Sequence, residues 1–297
     1  MDTLILKGKP VSAAICASLK PRIKLLKEDN IIPKLAAILV GDDPASQMYV
    51  NSKASAFEKM GCSSQTFKLR SDSDKTAILE LIDQLNSDDE IHGILIQLPL
   101  PLHLDSTKIL HTVVPEKDVD GLHPQNLGLL LEGNPTFIPC TPQGILEILK
   151  FYNIPIAGRH AVIVGRSNIV GKPMFALLSQ KFEMGNATVT ICHTGTKDLT
   201  AHTKHADILI AAAGLPHMIK SNMIKEGVDI IDVGINRIDD DSGRGYRVMG
   251  DVCTESILGI AHSVTPVPGG VGPMTITMLL NNTVLSAEKC WKLDLVS

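Results

Sequence analysis

Rings are scarce in this sequence. Of 297 residues one is Trp, three are Tyr and six are Phe, 3% together. Base-stacking platforms and sugar clefts are lined with aromatic side chains, so the scarcity argues against both. It also makes each tyrosine worth placing individually. An excess of charge of one sign is lacking too: 28 Lys and Arg stand against 32 Asp and Glu, a net −4. That is not the basic field of a general nucleic-acid binder. The six cysteines, at positions 16, 62, 140, 192, 253 and 290, form no C-x-x-C or Cys/His pair at zinc-finger spacing. Scattered in this way they read as reduced core residues of a cytoplasmic protein. No run approaches the ~18 uncharged apolar residues of a membrane span. The opening Met1-Asp2-Thr3-Leu4 shows no basic segment of a signal or transit peptide. The expectation is a chain with neither nucleic-acid nor membrane partners.

Apolar residues make up 44% and charged residues 20%, enough for a real core and too little charge for disorder. At ~150 residues per domain the length suggests two domains. Val11, Ile15, Leu19, Ile23 and Leu26 recur at helix spacing and predict a helix over 11–30. A buried strand follows at 35–40, then a helix over 46–60, a strand at 65–69, a helix over 75–85 and a buried strand at 92–97. Strands alternating with helices imply right-handed βαβ units and a mostly parallel sheet, an α/β fold. The Pro- and Gly-rich stretch 115–142 reads as the passage between domains. The alternation then resumes with strands at 160–165, 187–192, 206–211 and 229–233 and a helix over 170–182. A last apolar helix, over 274–291, is expected to pack back onto the first domain.

The strongest local sign of a nucleotide is Val162-Ile-Val-Gly165-Arg166-Ser167-Asn168-Ile169-Val170-Gly171-Lys172-Pro173. A strand ends in glycine and a helix begins near Val170, where free N–H groups and the helix dipole can hold a pyrophosphate. Ser167 stands where the generic G-x-G-x-x-G fingerprint has its second glycine, so the stretch also reads as an ordinary strand–helix turn. NAD sites carry an acid at the end of the second strand for the ribose 2′-hydroxyl. Here that strand runs Ile191-Cys192-His193-Thr194-Gly195-Thr196 with no acid. Arg166 could meet a 2′-phosphate together with Thr194, which favours NADP over NAD, or it caps the turn.

Tyr49 and Lys53 lie four apart on the predicted helix and share a face. A lysine in a desolvated site exchanges protons near neutral pH, although a Tyr–Lys pair at this spacing is more often a half-buried ring beside a solvated amine. Gln97 ends a buried strand just before Leu98-Pro99-Leu100-Pro101, where strand C-termini place site residues. Lys117-Asp118-Val119-Asp120-Gly121 sets two acids in a loop. One of them could clamp an amino-pyrimidine edge, and an Asx turn explains the pattern as well. In Thr265-Pro266-Val267-Pro268-Gly269-Gly270-Val271-Gly272-Pro273-Met274-Thr275, prolines fix the chain, glycines admit a ligand to the backbone, and Pro273 starts the last helix.

Taken together and in this order, these stretches closely resemble the bifunctional methylenetetrahydrofolate dehydrogenase/cyclohydrolase family, over nearly the whole chain. The resemblance implies two domains: an N-terminal α/β folate-binding catalytic domain, 1–143 plus 276–297, and a Rossmann-like NAD(P)-binding domain, 144–275. It implies oxidation of 5,10-methylenetetrahydrofolate to the 5,10-methenyl cation with NADP⁺ and hydrolysis of that cation to 10-formyltetrahydrofolate, by a homodimer and without a metal. By position, Lys53 becomes the proton-transfer and electrostatic group, Gln97 its hydrogen-bonding partner, Tyr49 the residue that positions the folate, and Asp120 the grip on the pterin. Ile96, Leu98, Pro268, Gly269, Gly270, Val271 and Gly272 would line the folate. Gly165, Arg166, Ser167, Thr194, Gly214, Ile235 and Thr275 would take the cofactor. Thr194 stands where many NADP-dependent members have Ser, and a further basic residue that some relatives carry nearby is missing.

Two other readings compete. A short-chain dehydrogenase also uses Y-x-x-x-K, but after its glycine-rich loop, whereas Tyr49 precedes Gly165. A non-catalytic nucleotide or folate sensor on the same fold would not need Lys53, Gln97 and Asp120 intact. His202 and His205 sit three apart with no third ligand nearby in sequence, which reads as a solvated helix face and not as a metal site.

Overall fold

The computed structural model describes residues 2–240 and 245–294. In chain order the elements are β1 (Leu4–Ile5), α1 (Gly8–Glu28), β2 (Lys34–Val40), α2 (Pro44–Lys59), β3 (Ser63–Leu69), α3 (Lys75–Ser87), β4 (Gly93–Ile96), α4 (Ser106–Leu110), α5 (Pro124–Glu132) and α6 (Cys140–Phe151). They continue with β5 (His160–Val164), α7 (Gly171–Ser179), β6 (Thr188–Cys192), α8 (Leu199–Thr203), β7 (Ile208–Ala211), β8 (Asp229–Asp232), β9 (Asn236–Asp239), β10 (Tyr246–Met249), α9 (Thr254–Ile257), β11 (Ser263–Val264) and α10 (Val271–Asp294). No helix of the described residues is long and apolar enough to cross a membrane.

The chain divides into two compact α/β units. One holds Ala14–Cys140 and the described residues from Ile276 onward. Its sheet is parallel, in the order β3-β2-β4. β2 is central and buried along nearly its whole length, as its run Leu-Ala-Ala-Ile-Leu-Val requires of a strand covered on both faces. Ile78, Ile82 and Leu85, spaced 4 and 3 apart on α3, share a core with Ala36, Ile38 and Val40 of β2 and Ile94 and Ile96 of β4. Burying side chains of that size stabilises by about 1.5–3 kcal/mol each.

The other unit holds the residues as far as Ala13 with Thr141–Thr275. Its sheet has six strands in the order β1-β11-β8-β7-β5-β6, every pairing parallel. The reversal of direction across β5, with β6 on one side and β7 on the other, is the switch point at which such sheets bind ligands. Residues 2–13 therefore sort differently from the expected 1–143 grouping, because Leu4 and Ile5 pair with Ser263 and Val264 of β11. Two apolar residues are too short a run to read as a strand from sequence.

The stretch 115–142 is more structured than an interdomain passage. Asp118 accepts the N–H groups of Leu122 (3.1 Å) and His123 (2.7 Å) and the Asn126 amide (2.8 Å), which organises the entry to α5. Gly133, at φ 99°, ends that helix in the left-handed region where glycine is favoured. The loop is docked on β4: Ile94 N–H donates to the Lys117 carbonyl at 2.8 Å, and Gly93 leaves the space that the Val119 side chain occupies. Lys117 itself donates to the carbonyls of Leu85, Asn86 and Asp88 at 2.7–3.0 Å, satisfying the C-terminal end of α3.

The C-terminal helix fastens the same loop from another direction. Asn282, 1% exposed, donates to the Val119 and Ile138 carbonyls at 2.9 and 3.1 Å. Arg22 on α1 forms a two-pronged pair with Glu288, both contacts 2.7 Å. Asn282→Ala removes both hydrogen bonds, leaving the Val119 carbonyl only the weaker Cys140 thiol and the part-buried Ile138 carbonyl without this donor, and is expected to cost about 1–3 kcal/mol. Urea unfolding measures it, and a change below a few tenths of a kcal/mol would contradict the assignment.

Candidate active site

Lys53 owes its place to α2. Asp43 caps the helix by accepting Ser46 N–H at 2.7 Å, and Pro44 stands in the first turn. The buried face then reads Ser46, Val50, Lys53, Phe57, so the lysine occupies a position on the apolar stripe. It is 8% exposed. Tyr49, one turn earlier, is 39% exposed. A lysine sits on a buried stripe only if its ammonium finds partners.

The first partner comes from the end of β4. Gln97 N–H continues the β2–β4 pairing by donating to the Ile38 carbonyl at 2.9 Å. Its side-chain Nε2 donates to the Leu98 carbonyl at 2.7 Å, which turns Oε1 toward Lys53, and Lys53 Nζ donates to it at 2.9 Å. The second partner is Asp120, whose negative charge opposes the effect of burial on Lys53. Burial prevails, and the Lys53 amine is held below the ordinary lysine range. Asp120 moves the other way: burial raises its carboxyl pKa, while Lys53 and a hydrogen bond to Cys140 pull it down.

Cys140 belongs to this group and was not read from the sequence. Its thiol lies 3.3 Å from the Val119 carbonyl and within hydrogen-bonding reach of Asp120. Burial, and then the Asp120 charge, push it well above the usual thiol range, so it stays a neutral S–H. A lone cysteine in a Pro-rich stretch carries no periodic or motif signal that could have found it.

The stretch Pro268–Gly272 belongs to the six-stranded unit and runs from the loop after β11 into the first turn of α10. The Gly269 carbonyl accepts Gly8 N–H at 2.9 Å, and a Cβ on Gly8 would overlap the Gly270 carbonyl. Ile96 and Leu98 flank Gln97 at the end of β4.

The nucleotide motif forms a site of its own. Gly165 follows β5 at φ 131°, and a Cβ there would overlap the Ala212 carbonyl; on Gly171 it would overlap the Gly165 carbonyl. Ser167 Oγ accepts the N–H groups of Val170 (3.1 Å) and Gly171 (3.4 Å) at the start of α7. A cavity of about 260 Å³ opens here, lined by Gly165, Arg166, Ser167, His193, Thr194 and, across from them, Ala212, Ala213 and Leu215. A glycine-floored cavity at the β5 switch point, beside the start of α7 and with a cation in its lining, fits a dinucleotide's phosphates. Gly214 borders the lining residues, whereas Ile235, 53% exposed, and Thr275, bonded to Thr141 at 3.0 Å, do not line it. Asp232 and Asp251, both buried, lie behind this wall; neither was singled out in the sequence. Among the described residues no group of three or more His, Cys, Asp or Glu is placed to hold a metal ion.

One unit with a dinucleotide-type cavity on a parallel sheet and another with a desolvated lysine between an amide and a carboxylate define a two-domain enzyme of the NAD(P)-binding class. More narrowly, the chain belongs to the tetrahydrofolate dehydrogenase/cyclohydrolase family: the model of its catalytic domain matches residues 6–120 and that of its NAD(P)-binding domain residues 139–291. It is 51% identical to the bifunctional protein FolD of Nautilia profundicola, over 96% of this chain and 97% of that one. The FolD dehydrogenase/cyclohydrolase of Campylobacter jejuni superposes with a TM-score of 0.91 at 48% identity, covering 97% of this chain and 99% of the other. The Trypanosoma brucei FolD, solved with NADP and an inhibitor, gives 0.92 at 35% identity, covering 97% and 98%.

Gln97→Glu tests the balance at Lys53. A carboxylate in place of a neutral amide favours the ammonium, so the Lys53 pKa rises and the neutral amine appears only at higher pH. An NMR titration of the lysine side chain reads the shift, and an unmoved inflection would refute the account.

Proposed function

We propose that this chain oxidises 5,10-methylenetetrahydrofolate to the 5,10-methenyl cation with NADP⁺ and then hydrolyses the cation to 10-formyltetrahydrofolate. The observation that carries the reading is the buried Lys53 amine, hydrogen-bonded to a neutral acceptor at 2.9 Å, in a chain of this family. Asp120 has no backbone N–H donating to its carboxylate among the described residues. It is therefore available to accept two parallel hydrogen bonds from the amino-pyrimidine edge of the pterin. Tyr49, exposed on the same helix face, offers a ring to the folate, and Ile96, Leu98 and Pro268 to Gly272 supply the remaining folate contacts.

Lys53 then handles protons. Loss of hydride leaves a cationic folate, which a permanent ammonium beside the reacting carbon would oppose and a tunable amine does not. In the hydrolysis, a water oxygen bonds to the methenyl carbon as Lys53 Nζ takes one of its protons. The C–N5 bond breaks as Lys53 returns a proton to N5, and the hydroxyl proton leaves to solvent as the formyl C=O forms. Gln97 keeps Nζ directed throughout.

Gly165, Arg166, Ser167, Thr194 and Gly214 would hold the dinucleotide, with Ile235 and Thr275 completing its surroundings. When bound it supplies the hydride acceptor. Ser167 Oγ already accepts two N–H groups, which leaves its O–H free to donate to a phosphate oxygen. The lining includes Arg166 and Thr194 and no carboxylate, which suits a 2′-phosphate better than a free ribose and supports NADP over NAD.

The same reading makes the protein a cytoplasmic homodimer. All six cysteines are free thiols, in keeping with a reducing compartment, and among the described residues no strand pairs with the outer edge of β6, which ends the six-stranded sheet.

Lys53→Met retains the apolar stem on the α2 stripe and is expected to keep the fold. It should lower hydrolysis of methenyltetrahydrofolate by about 10²-fold or more, followed by loss of the methenyl absorbance. Unchanged hydrolysis in a folded variant would remove Lys53 from the mechanism. Arg166→Ala should raise KM for NADP⁺ about tenfold with little effect on NAD⁺; equal changes for both would argue against 2′-phosphate recognition.

A further inference from the structure

The wall of the cofactor cavity facing Gly165 is the turn after β7, which contributes Ala212, Ala213 and Leu215. The amides of Ala213 and Gly214 in that turn both donate to one oxygen, Asp251 Oδ2, at 2.6 and 2.9 Å. The other oxygen, Oδ1, accepts the Asn236 amide at 2.9 Å, at the foot of the β9–β10 hairpin. Asp251 is 0% exposed.

Asp251 is itself braced. Its N–H and that of Val252 donate to the two oxygens of Asp232 at 2.9 and 3.0 Å, and Gly234 N–H donates to Asp232 Oδ1 at 3.0 Å. Asp232 ends β8, and its own N–H donates to Thr265 Oγ1 at 2.7 Å, just past β11. There is no room for a side chain in this arrangement: a Cβ on Gly234 would overlap the Asp251 carboxylate, and one on Gly250 the Asp232 carboxylate.

A trans peptide holds its N–H and C=O in opposite directions. Turning the Ala213 and Gly214 N–H groups toward Asp251 therefore turns the Ala212 and Ala213 carbonyls away from it. The Ala212 carbonyl accordingly lies against Gly165, where only a glycine fits.

We propose that Asp251, braced by Asp232, is a positioning residue for the dinucleotide, which sets the peptide orientation of the Ala212–Leu215 wall and ties that wall to the β9–β10 hairpin. The proposal rests on the function inferred above. A carboxylate accepts all three donors at once. In Asp251→Asn an NH₂ turned toward the wall meets the Ala213 and Gly214 N–H groups, and one turned toward Asn236 forces that amide to flip and leaves only neutral hydrogen bonds. The effect should fall on cofactor binding and spare the hydrolytic step, which uses no dinucleotide.

The test is an equilibrium titration of NADPH, followed by its own fluorescence, beside hydrolysis of methenyltetrahydrofolate without dinucleotide. Parent, Asp251→Asn and Asn236→Ala proteins are compared after thermal melting confirms that each is folded. Asp251→Asn is expected to weaken NADPH binding about tenfold or more and Asn236→Ala about threefold, as loss of charged and single hydrogen bonds implies, with hydrolysis within about twofold of the parent. NADPH affinity unchanged in a folded variant overturns the proposal. So does an equal loss of affinity and hydrolysis, which marks a general packing role. If Asp251→Asn does not fold, Asn236→Ala decides alone. A parent protein that neither binds NADPH nor hydrolyses methenyltetrahydrofolate would count instead against the function itself.

Discussion

The site around Lys53 depends on burial outweighing attraction at one amine. A solvated lysine is an ammonium at any pH the cell reaches, and so is one in contact with a carboxylate. Only a lysine whose desolvation exceeds its pairing can shuttle protons. Each neighbour serves that balance. The α2 stripe takes the stem out of water, and Gln97 offers an acceptor without a charge. Asp120 offers a charge but no direct hydrogen bond to the amine. Cys140, kept protonated by burial, adds no second anion. Ionisation of that thiol would pull the lysine back toward the ammonium.

The buried acids show how such a group differs from a structural one. Asp118, Asp232 and Asp251 each accept three backbone or side-chain N–H groups. Burial still lifts Asp118 and Asp232 to about 6. All three spend their oxygens on fixing loops. Asp120 sits two residues from Asp118 on the same docked loop, yet it faces only the lysine and the thiol. The loop is held by Asp118, which leaves the Asp120 carboxyl to the lysine and the thiol.

Much of this was legible in the chain, because periodicity reports burial. The strands and the long helices stand within a few residues of their expected positions, since their apolar spacing is set by the faces that they bury. Lys53 and Gln97 do meet, and the glycine-rich stretch after β5 does open a cavity. The rest depended on contacts between residues far apart in sequence. β1 is two residues long and exists only through β11. Asn282 reaches loops more than 140 positions away. Cys140 and Asp251 gain their importance from neighbours that no local pattern names. The tyrosines divide in the same way: Tyr152 donates to the Lys7 carbonyl at 3.0 Å and Tyr246 lies 3.7 Å under Arg237, roles that only the fold reveals.

Neither unit is a continuous piece of chain, and this bears on how the sites are held. The six-stranded sheet takes its edge strand β1 from the first residues, while the three-stranded unit takes the described residues from Ile276 onward. The loop that carries Asp120 is therefore held by β4 through Ile94 and by α10 through Asn282. A loop fastened on one side could swing and carry its carboxylate away from Lys53. Fastened from two directions, it keeps a buried negative charge at a set distance from a buried amine. The balance at Lys53 needs that constancy, since attraction falls off with distance whereas the desolvation does not relax.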